Sequence, residues 1–388
     1  MKIRSYHIVS VLFVLMGACV KPYDFNPQNY EKVLVVDGAV SNQPGPYTVS
    51  VHYTYPLDTI LEELVTNAKV WVEDGDKKVY MYSLVGDSIY QSPTGFVATV
   101  GQSYSLHVEM PDGQSYSSEP QTLEPAPAIS RIYGQYAELP NEEGTGNIGG
   151  IQFFIDSDNA NGDATHFRYE WQEAYKIVTP YPAQYYVTPD TMLVYMDTSI
   201  GICYRELQSN SLIYATTIGT AGNQILEFPI RFISERDQQL KNRYTLLVKQ
   251  YAISEAAYLF YKRLTENNKS GGSLFSQQTG AVYGNMISDQ NPDESILGFF
   301  EVAGVSEKRQ FFSPSKLDDR YRPPTFPYSC FPQDIINTTP DSALYYVQLV
   351  SGNVFFYNTM PPEVGIQTRS CTDCSFYANV TPPNYWEN

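Results

Sequence analysis

Between residues 33 and 117 apolar side chains recur at every second position, in short runs that each end at a turn signal. A period of two places alternate side chains on opposite faces of an extended chain, so each run is a half-buried strand and not a helix. "VLVVDG" (33–38) ends at Asp37-Gly38, and "YTVSVHY" (47–53) follows Pro44-Gly45-Pro46. "AKVWVEDG" (68–75), "KVYMYSL" (78–84) and "YSLHVEM" (104–110) repeat the pattern. "GQSYS" occurs at 101–105 and again at 113–117 around Pro111-Asp112, which suits the two arms of a hairpin. About seven short strands within about 90 residues and no helical period predict an immunoglobulin-like antiparallel β-sandwich over 32–124. "EPQTLEPAPAIS" (119–130), with three prolines, reads as the linker that closes it.

The remainder, 125–388, reads as a larger β-rich domain with one main helix, so the chain as a whole is mainly β. Strands are expected at 151–157, 166–175, 224–233 and 243–253, with later ones near 296–303 and 344–350. The helix starts at Ser254 as N-cap, carries Glu255 in its first turn, and aligns Ala257, Tyr258, Tyr261 and Leu264 along one side. "ENNKSGG" ends it.

The N-terminus reads as an address. Lys2 and Arg4 precede a short apolar run, Ile8 to Met16, and the small residues Gly17-Ala18, which is the layout of a signal peptide over 1–18. The run is shorter than the roughly 20 residues a membrane-spanning helix needs. Met16-Gly17-Ala18-Cys19 resembles a lipobox, making Cys19 the expected lipid anchor and 19–31 a polar, proline-punctuated tether. Loss of Lys2 and Arg4 with the signal takes the net charge from −17 to −19. A surface that acidic repels nucleic acid, and no basic stripe offsets it.

Removing Cys19 from the count leaves Cys203, Cys330, Cys371 and Cys374. An even number in an exported chain suggests disulfides, and four cysteines allow three connectivities. Cys371-Thr-Asp-Cys374 is also a CxxC, open to a redox or zinc reading.

The order of landmarks is similar to that of a known family. "LVVDGAVSNQPGPYTVSV", "AKVWVEDGD", "GQSYSLHVEMPDGQSYSSEPQTL", "CYR" (203–205), "YTLLVKQYAISEAAYLFYKRL" (244–264), the stretch 271–312 and "CTDC" resemble domain-of-unknown-function family 4249, outer-membrane lipoproteins of Bacteroidota. The resemblance implies an outer-membrane protein found alongside TonB-dependent transporters. It carries no established activity, so Cys19 is the one functional residue it transfers. The lipidated cysteine is followed by Val20-Lys21-Pro22-Tyr23-Asp24 without an acidic cluster, which leaves the face of the membrane, cell-surface or periplasmic, open.

Catalytic motifs such as HExxH, GxSxG or a phosphate loop do not occur in the sequence. His52 and His107 fall inside strands, and paired acids at Glu62-Glu63, Glu142-Glu143 and Asp318-Asp319 point to opposite faces of any strand they occupy. "DSDNANGD" (156–163) offers Asp156, Asp158, Asn161 and Asp163 as calcium ligands at a spacing that misses the EF-hand. A polar hairpin turn explains the same letters. Tyr181, Tyr185 and Tyr186 cluster between prolines in an expected loop; ordinary β-core packing is the first explanation of them, and a glycan or partner-protein surface the second. The expected role is a non-enzymatic, lipid-anchored accessory protein without cofactor, partnering a TonB-dependent transporter or presenting cargo to it. The alternative is a free-standing glycan-binding surface lipoprotein that uses the loop tyrosines.

Overall fold

The computed structural model describes residues 32–55, 64–141, 144–158, 162–182, 185–187, 193–195, 200–270, 282–326, 328, 330, 335–337, 354–358 and 363–387. The signal segment 1–18, Cys19, the rest of the tether, both Glu-Glu pairs and the strand expected at 344–350 lie outside the described residues.

The first part supplies β1 (Leu34–Ser41), β2 (Thr48–Tyr53), β3 (Lys69–Asp74), β4 (Val79–Met81), β5 (Ser83–Gly86), β6 (Ile89–Gln91), β7 (Ser103–Glu109), β8 (Ser115–Ser118) and β9 (Gln121–Thr122). The period of two is visible in the burial itself: Tyr104, Leu106 and Val108 of β7 point inward while their neighbours stay half-exposed. The duplicated "GQSYS" forms a hairpin, with His107 opposite Ser117 and the turn closed by the Gly113 amide on the Met110 carbonyl at 3.0 Å.

The second part supplies β10 (Ile129–Pro140), β11 (Asn147–Asp158), β12 (His166–Val178), β13 (Tyr185–Val187), β14 (Leu193–Tyr195), β15 (Ile202–Gln208), β16 (Ile213–Thr216), β17 (Gln224–Ser234) and β18 (Tyr244–Ala252). Helix α1 (Glu255–Ser270) follows, and Ser254 caps it by accepting the Ala257 amide at 3.2 Å. Then come β19 (Met286–Ser288), β20 (Ile296–Leu297), β21 (Phe300–Phe312), β22 (Ile335–Asn337), β23 (Val354–Asn358), β24 (Glu363–Thr368) and a single turn, α2 (Arg369–Thr372).

Among the described residues the strands form four sheets. The largest runs β15-β12-β18-β21-β1-β2-β6-β5, with β16 added beside β12 and β20 beside β1. Its β1-β2-β6 end faces the sheet β19-β8-β7-β3-β4, burying Val36, Val49, Val51, Val70, Val72, Leu106 and Val108 between them. Its β12-β18-β21 end faces the sheet β10-β11-β17, where Phe153 packs on Tyr244 and Phe312 with ring centroids 5.3 and 4.8 Å apart. A smaller sheet, β14-β13-β23-β24-β22, joins β13 and β14 from mid-chain to the C-terminal strands.

The chain is thus mainly β with one main helix, and its first strands make an antiparallel sandwich. Residues 32–124 do not close that sandwich alone. β1 pairs with β2 on one side and, in parallel, with β20 and β21 on the other, from Gly38 opposite Phe300 to Ser41 opposite Ala303. β19 joins β8, and Met286, Ile296, Phe300 and Val302 enter the same core. The parallel step is tight at Gly298, where φ is +90° and a Cβ would stand 2.1 Å from the Val36 carbonyl oxygen. Only glycine fits there. The proline-rich linker is docked against this junction: Gln250 Nε2 and Ser306 Oγ both donate to the Pro127 carbonyl, at 2.7 and 2.6 Å.

Both disulfides lie in the C-terminal part, joining Cys203 to Cys374 and Cys330 to Cys371. The two cysteines of the CxxC therefore bridge to different partners and not to each other, so the motif is a staple between the tail, β15 and the 330 region.

Candidate functional site

Where β12-β18-β21 continues into β1-β2-β6, the outer face of the large sheet is partly covered by α1, which packs on it through Ala257, Phe260, Tyr261 and Leu264. Beside the helix a cleft of about 460 Å³ stays open. Its lining includes Asp37 from β1, Thr48 and Ser50 from β2, Ile89 from β6, Arg168 from β12, Glu301 from β21 and Tyr261 from α1, with Tyr47 at one side. Strand register makes this possible: Asp37 lies opposite Ser50, Ser50 opposite Ile89, and Ala39 opposite Glu301. Outward-facing positions of consecutive strands form a row across the sheet.

Arg168 organises the floor. Its Nε and Nη2 donate to the two oxygens of Glu301 at 3.0 and 2.8 Å, and its Nη1 donates to Glu170 at 2.5 Å. The guanidinium rests 4.0 Å from the centroid of the Tyr251 ring, whose hydroxyl donates to the second oxygen of Glu170 at 2.8 Å. Tyr261 donates to Glu301 at 2.7 Å. The Glu301 side chain is 2% exposed, so a bidentate, fully hydrogen-bonded partner is what allows its charge to stay buried. Burial pushes the Glu170 carboxyl up, but Arg168 and the Tyr251 hydroxyl outweigh that and hold it below the ordinary range. Burial and the neighbouring Glu301 push the Tyr261 hydroxyl well above its ordinary value.

Asp37 differs from these groups. Its side chain is exposed to the cleft, and partial desolvation by the surrounding strands, reinforced by Glu301, still pushes its carboxyl up; this outweighs the Phe299 amide that donates to it and the more distant Arg168 and His52. Arg168 is committed to Glu301 and Glu170, and Lys249 stands opposite Glu170 in the ladder. The one cation in the cleft lining is therefore taken, which leaves the charge of Asp37 over. The nearby Ser50 Oγ and His52 Nδ1 lie 3.1 Å apart. In a Ser-His-Asp triad the carboxylate hydrogen-bonds the imidazole; here Asp37 and His52 interact through space.

The residues singled out in the sequence fall elsewhere. Asp156 accepts Arg131 Nε at 2.8 Å and the Glu227 amide at 2.8 Å, so its carboxylate is already engaged by strands β10 and β17. Asp158 accepts Gln224 Nε2 at 3.3 Å, and Asn161 lies outside the described residues. Asp163 acts through space on Glu124. Among the described residues no group of three or more His, Cys, Asp or Glu is placed to hold a metal ion. Tyr181 is half-buried, with its amide donating to the Cys371 carbonyl at 3.1 Å. Tyr185 and Tyr186 were expected in a loop but are strand residues of β13, paired with Tyr195 and Val194 of β14. Their backbone finds ladder partners that proline spacing alone does not reveal.

The cleft residues were not legible as a set. Asp37 and Arg168, or Ser50 and Glu301, belong to no local spacing, and only non-local pairing brings them together.

The model of one family, described as Domain of unknown function (DUF4249), matches residues 20–309. The chain belongs to this family. The matched stretch contains every cleft residue, while Cys330, Cys371 and Cys374 lie beyond it. No curated protein matches the chain. No helix among the described residues is long and apolar enough to cross a membrane.

Proposed function

We propose that this is a non-enzymatic, lipid-anchored accessory protein of the outer membrane that partners a TonB-dependent transporter and presents cargo to it from the seam cleft. The observation that carries the reading is the cleft itself, a polar recess whose Arg168, Glu301, Glu170 and tyrosine groups are held by one another on a continuous sheet. Groups that already satisfy each other form a rigid receptor and are poorly placed to exchange protons during turnover. Cys19 as the anchor confines such a receptor to two dimensions and raises its effective concentration beside a membrane partner.

Two experiments test the reading. Cys19→Ala should release the body from membranes and abolish fatty-acid labelling; labelling that persists removes the anchor. Purification of the full chain in mild detergent, followed by mass spectrometry, should recover a barrel transporter with it. Recovery of the protein alone rejects the partnership.

A second reading, a glycan-binding lipoprotein, draws on a different surface from Tyr181, Tyr185 and Tyr186. On the outer face of the β19-β8-β7-β3-β4 sheet, Trp71 stacks on His107 with centroids 5.1 Å apart and planes 11° apart. Met81 and Ile287, both exposed, continue that row across the sheet. Sugar rings stack on such flat aromatic faces. Glycan-array binding that disappears in Trp71→Ala would favour this reading over the first.

A further inference from the structure

The charge left over in the cleft specifies what the cleft can hold. A carboxylate surrounded by protein loses hydration, and the loss is tolerated where a cation or hydrogen-bond donors replace the water. For Glu301 the replacement is Arg168 and Tyr261. Asp37, by contrast, is exposed to the open space of the cleft, with the Phe299 amide on one side and no cation of the lining left to pair with it. An anion such as phosphate is disfavoured, because Arg168, the cation in the lining, is set against three carboxylates, Asp37, Glu170 and Glu301. A divalent metal is also a poor fit: it asks for several oxygen ligands at once, and the carboxylates other than Asp37 are already spoken for.

We infer that the cleft is a binding site for an organic ammonium group, with Asp37 as its counter-ion. An ammonium has three N–H donors and no acceptor. The Asp37 carboxylate and the hydroxyls of Ser50 and Thr48, side by side on the same wall, supply three acceptors. Tyr261 in the lining suits a cation, and Ile89 gives the ligand's carbon chain an apolar surface. The volume accommodates a ligand the size of an amino-acid side chain or larger, so the class is a small amine or a lysine-bearing peptide. The inference rests on the cleft being the cargo site and names the chemistry of that cargo; it is independent of Cys19.

The full chain, purified in mild detergent, should be titrated calorimetrically with cadaverine, with pentanediol as its uncharged counterpart, and with calcium chloride. Cadaverine is expected to bind and pentanediol not. Asp37→Asn, which keeps the shape and removes the charge, should weaken cadaverine by about thirtyfold or more. Asp37→Asn is expected to fold at least as well as the parent, so loss of binding in a variant with an undiminished melting temperature is loss of the site.

Binding should also fall as pH is lowered and Asp37 gains its proton. The other charged or titratable groups facing it are Arg168 and Glu170 from β12, Lys249 and Tyr251 from β18, Glu301 from β21, Tyr261 from α1 and His52 from β2. His52→Gln removes the one histidine among them and should leave the pH response in place. Equal binding of cadaverine and pentanediol, unchanged affinity in Asp37→Asn, absence of cadaverine binding, or displacement of cadaverine by calcium would each overturn the inference. A chain that binds cadaverine but purifies without a barrel protein retains this site and rejects the transporter partnership; the opposite pair of results does the reverse.

Discussion

Strand β12 carries two buried arginine–glutamate pairs five residues apart, and they are built to different ends. On the outer face Arg168 holds Glu301, with Glu170 and Asp37 close by. Inside the second core Glu173 takes Arg231 in a bidentate pair at 2.9 and 3.1 Å, and Tyr244 adds a hydroxyl at 2.9 Å. Arg231 lies 4.7 Å from the Trp171 ring centroid and also donates to the Phe232 carbonyl at 3.0 Å. The inner pair has one bonded carboxylate for one guanidinium. The outer group has more acid than its cations neutralise, and its surplus faces a cavity. Charge balance marks the inner pair as structural, and imbalance beside open space marks the outer one as a receptor.

The largest expected effect separates the two directly. Glu173→Ala leaves Arg231 buried without a counter-ion and should lower unfolding free energy by about 3–5 kcal/mol in urea titration. Glu301→Gln should cost less, about 2 kcal/mol, because Glu170 still pairs with Arg168 and Tyr261 can still donate to the amide oxygen. Equal losses for the two variants would erase the distinction.

A smaller effect of opposite sign is expected at Asp37. Its folded-state carboxyl lies above the ordinary 3.8 of the unfolded chain, so the folded state holds that proton more tightly. Stability from this group is present below the unfolded value and is lost as pH rises through the folded one. Asp37→Asn should therefore raise the melting temperature at neutral pH and leave it unchanged in acid below 3.8. A variant destabilised at neutral pH would show that Asp37 is structural. Glu170→Gln should change stability least, by less than about 1 kcal/mol, since its side chain is 45% exposed and surface pairs contribute little.

The sequence was most informative where structure is local. The alternating strands, the "GQSYS" hairpin and the Ser254 cap all depend on neighbours within a few residues, and each is found where the pattern placed it. Three features depend on distant chain and were not readable. The first is the completion of the sandwich, which needs β19 to β21. The second is the fate of Asp156, whose side chain meets Arg131 from another strand instead of gathering ligands from its own loop. The third is the cleft, whose wall at Asp37 and floor at Glu301 meet only through the parallel register of β1 and β21. Four cysteines permitted three pairings, and the packing of the tail against β15 selects one.

The parallel pairing of β1 with β21 has a temporal consequence. The Val305 amide donates to the Asn42 side chain at 2.7 Å across 263 residues of chain. Whether at synthesis or after export, the β1 hairpin stays incomplete until a strand 263 residues further along the chain is available. Throughout that interval one side of β1 and the buried valines behind it remain uncovered. A nascent chain in that condition is a natural client for a holding chaperone, and the sandwich written first in the sequence is among the last parts of the molecule to be finished.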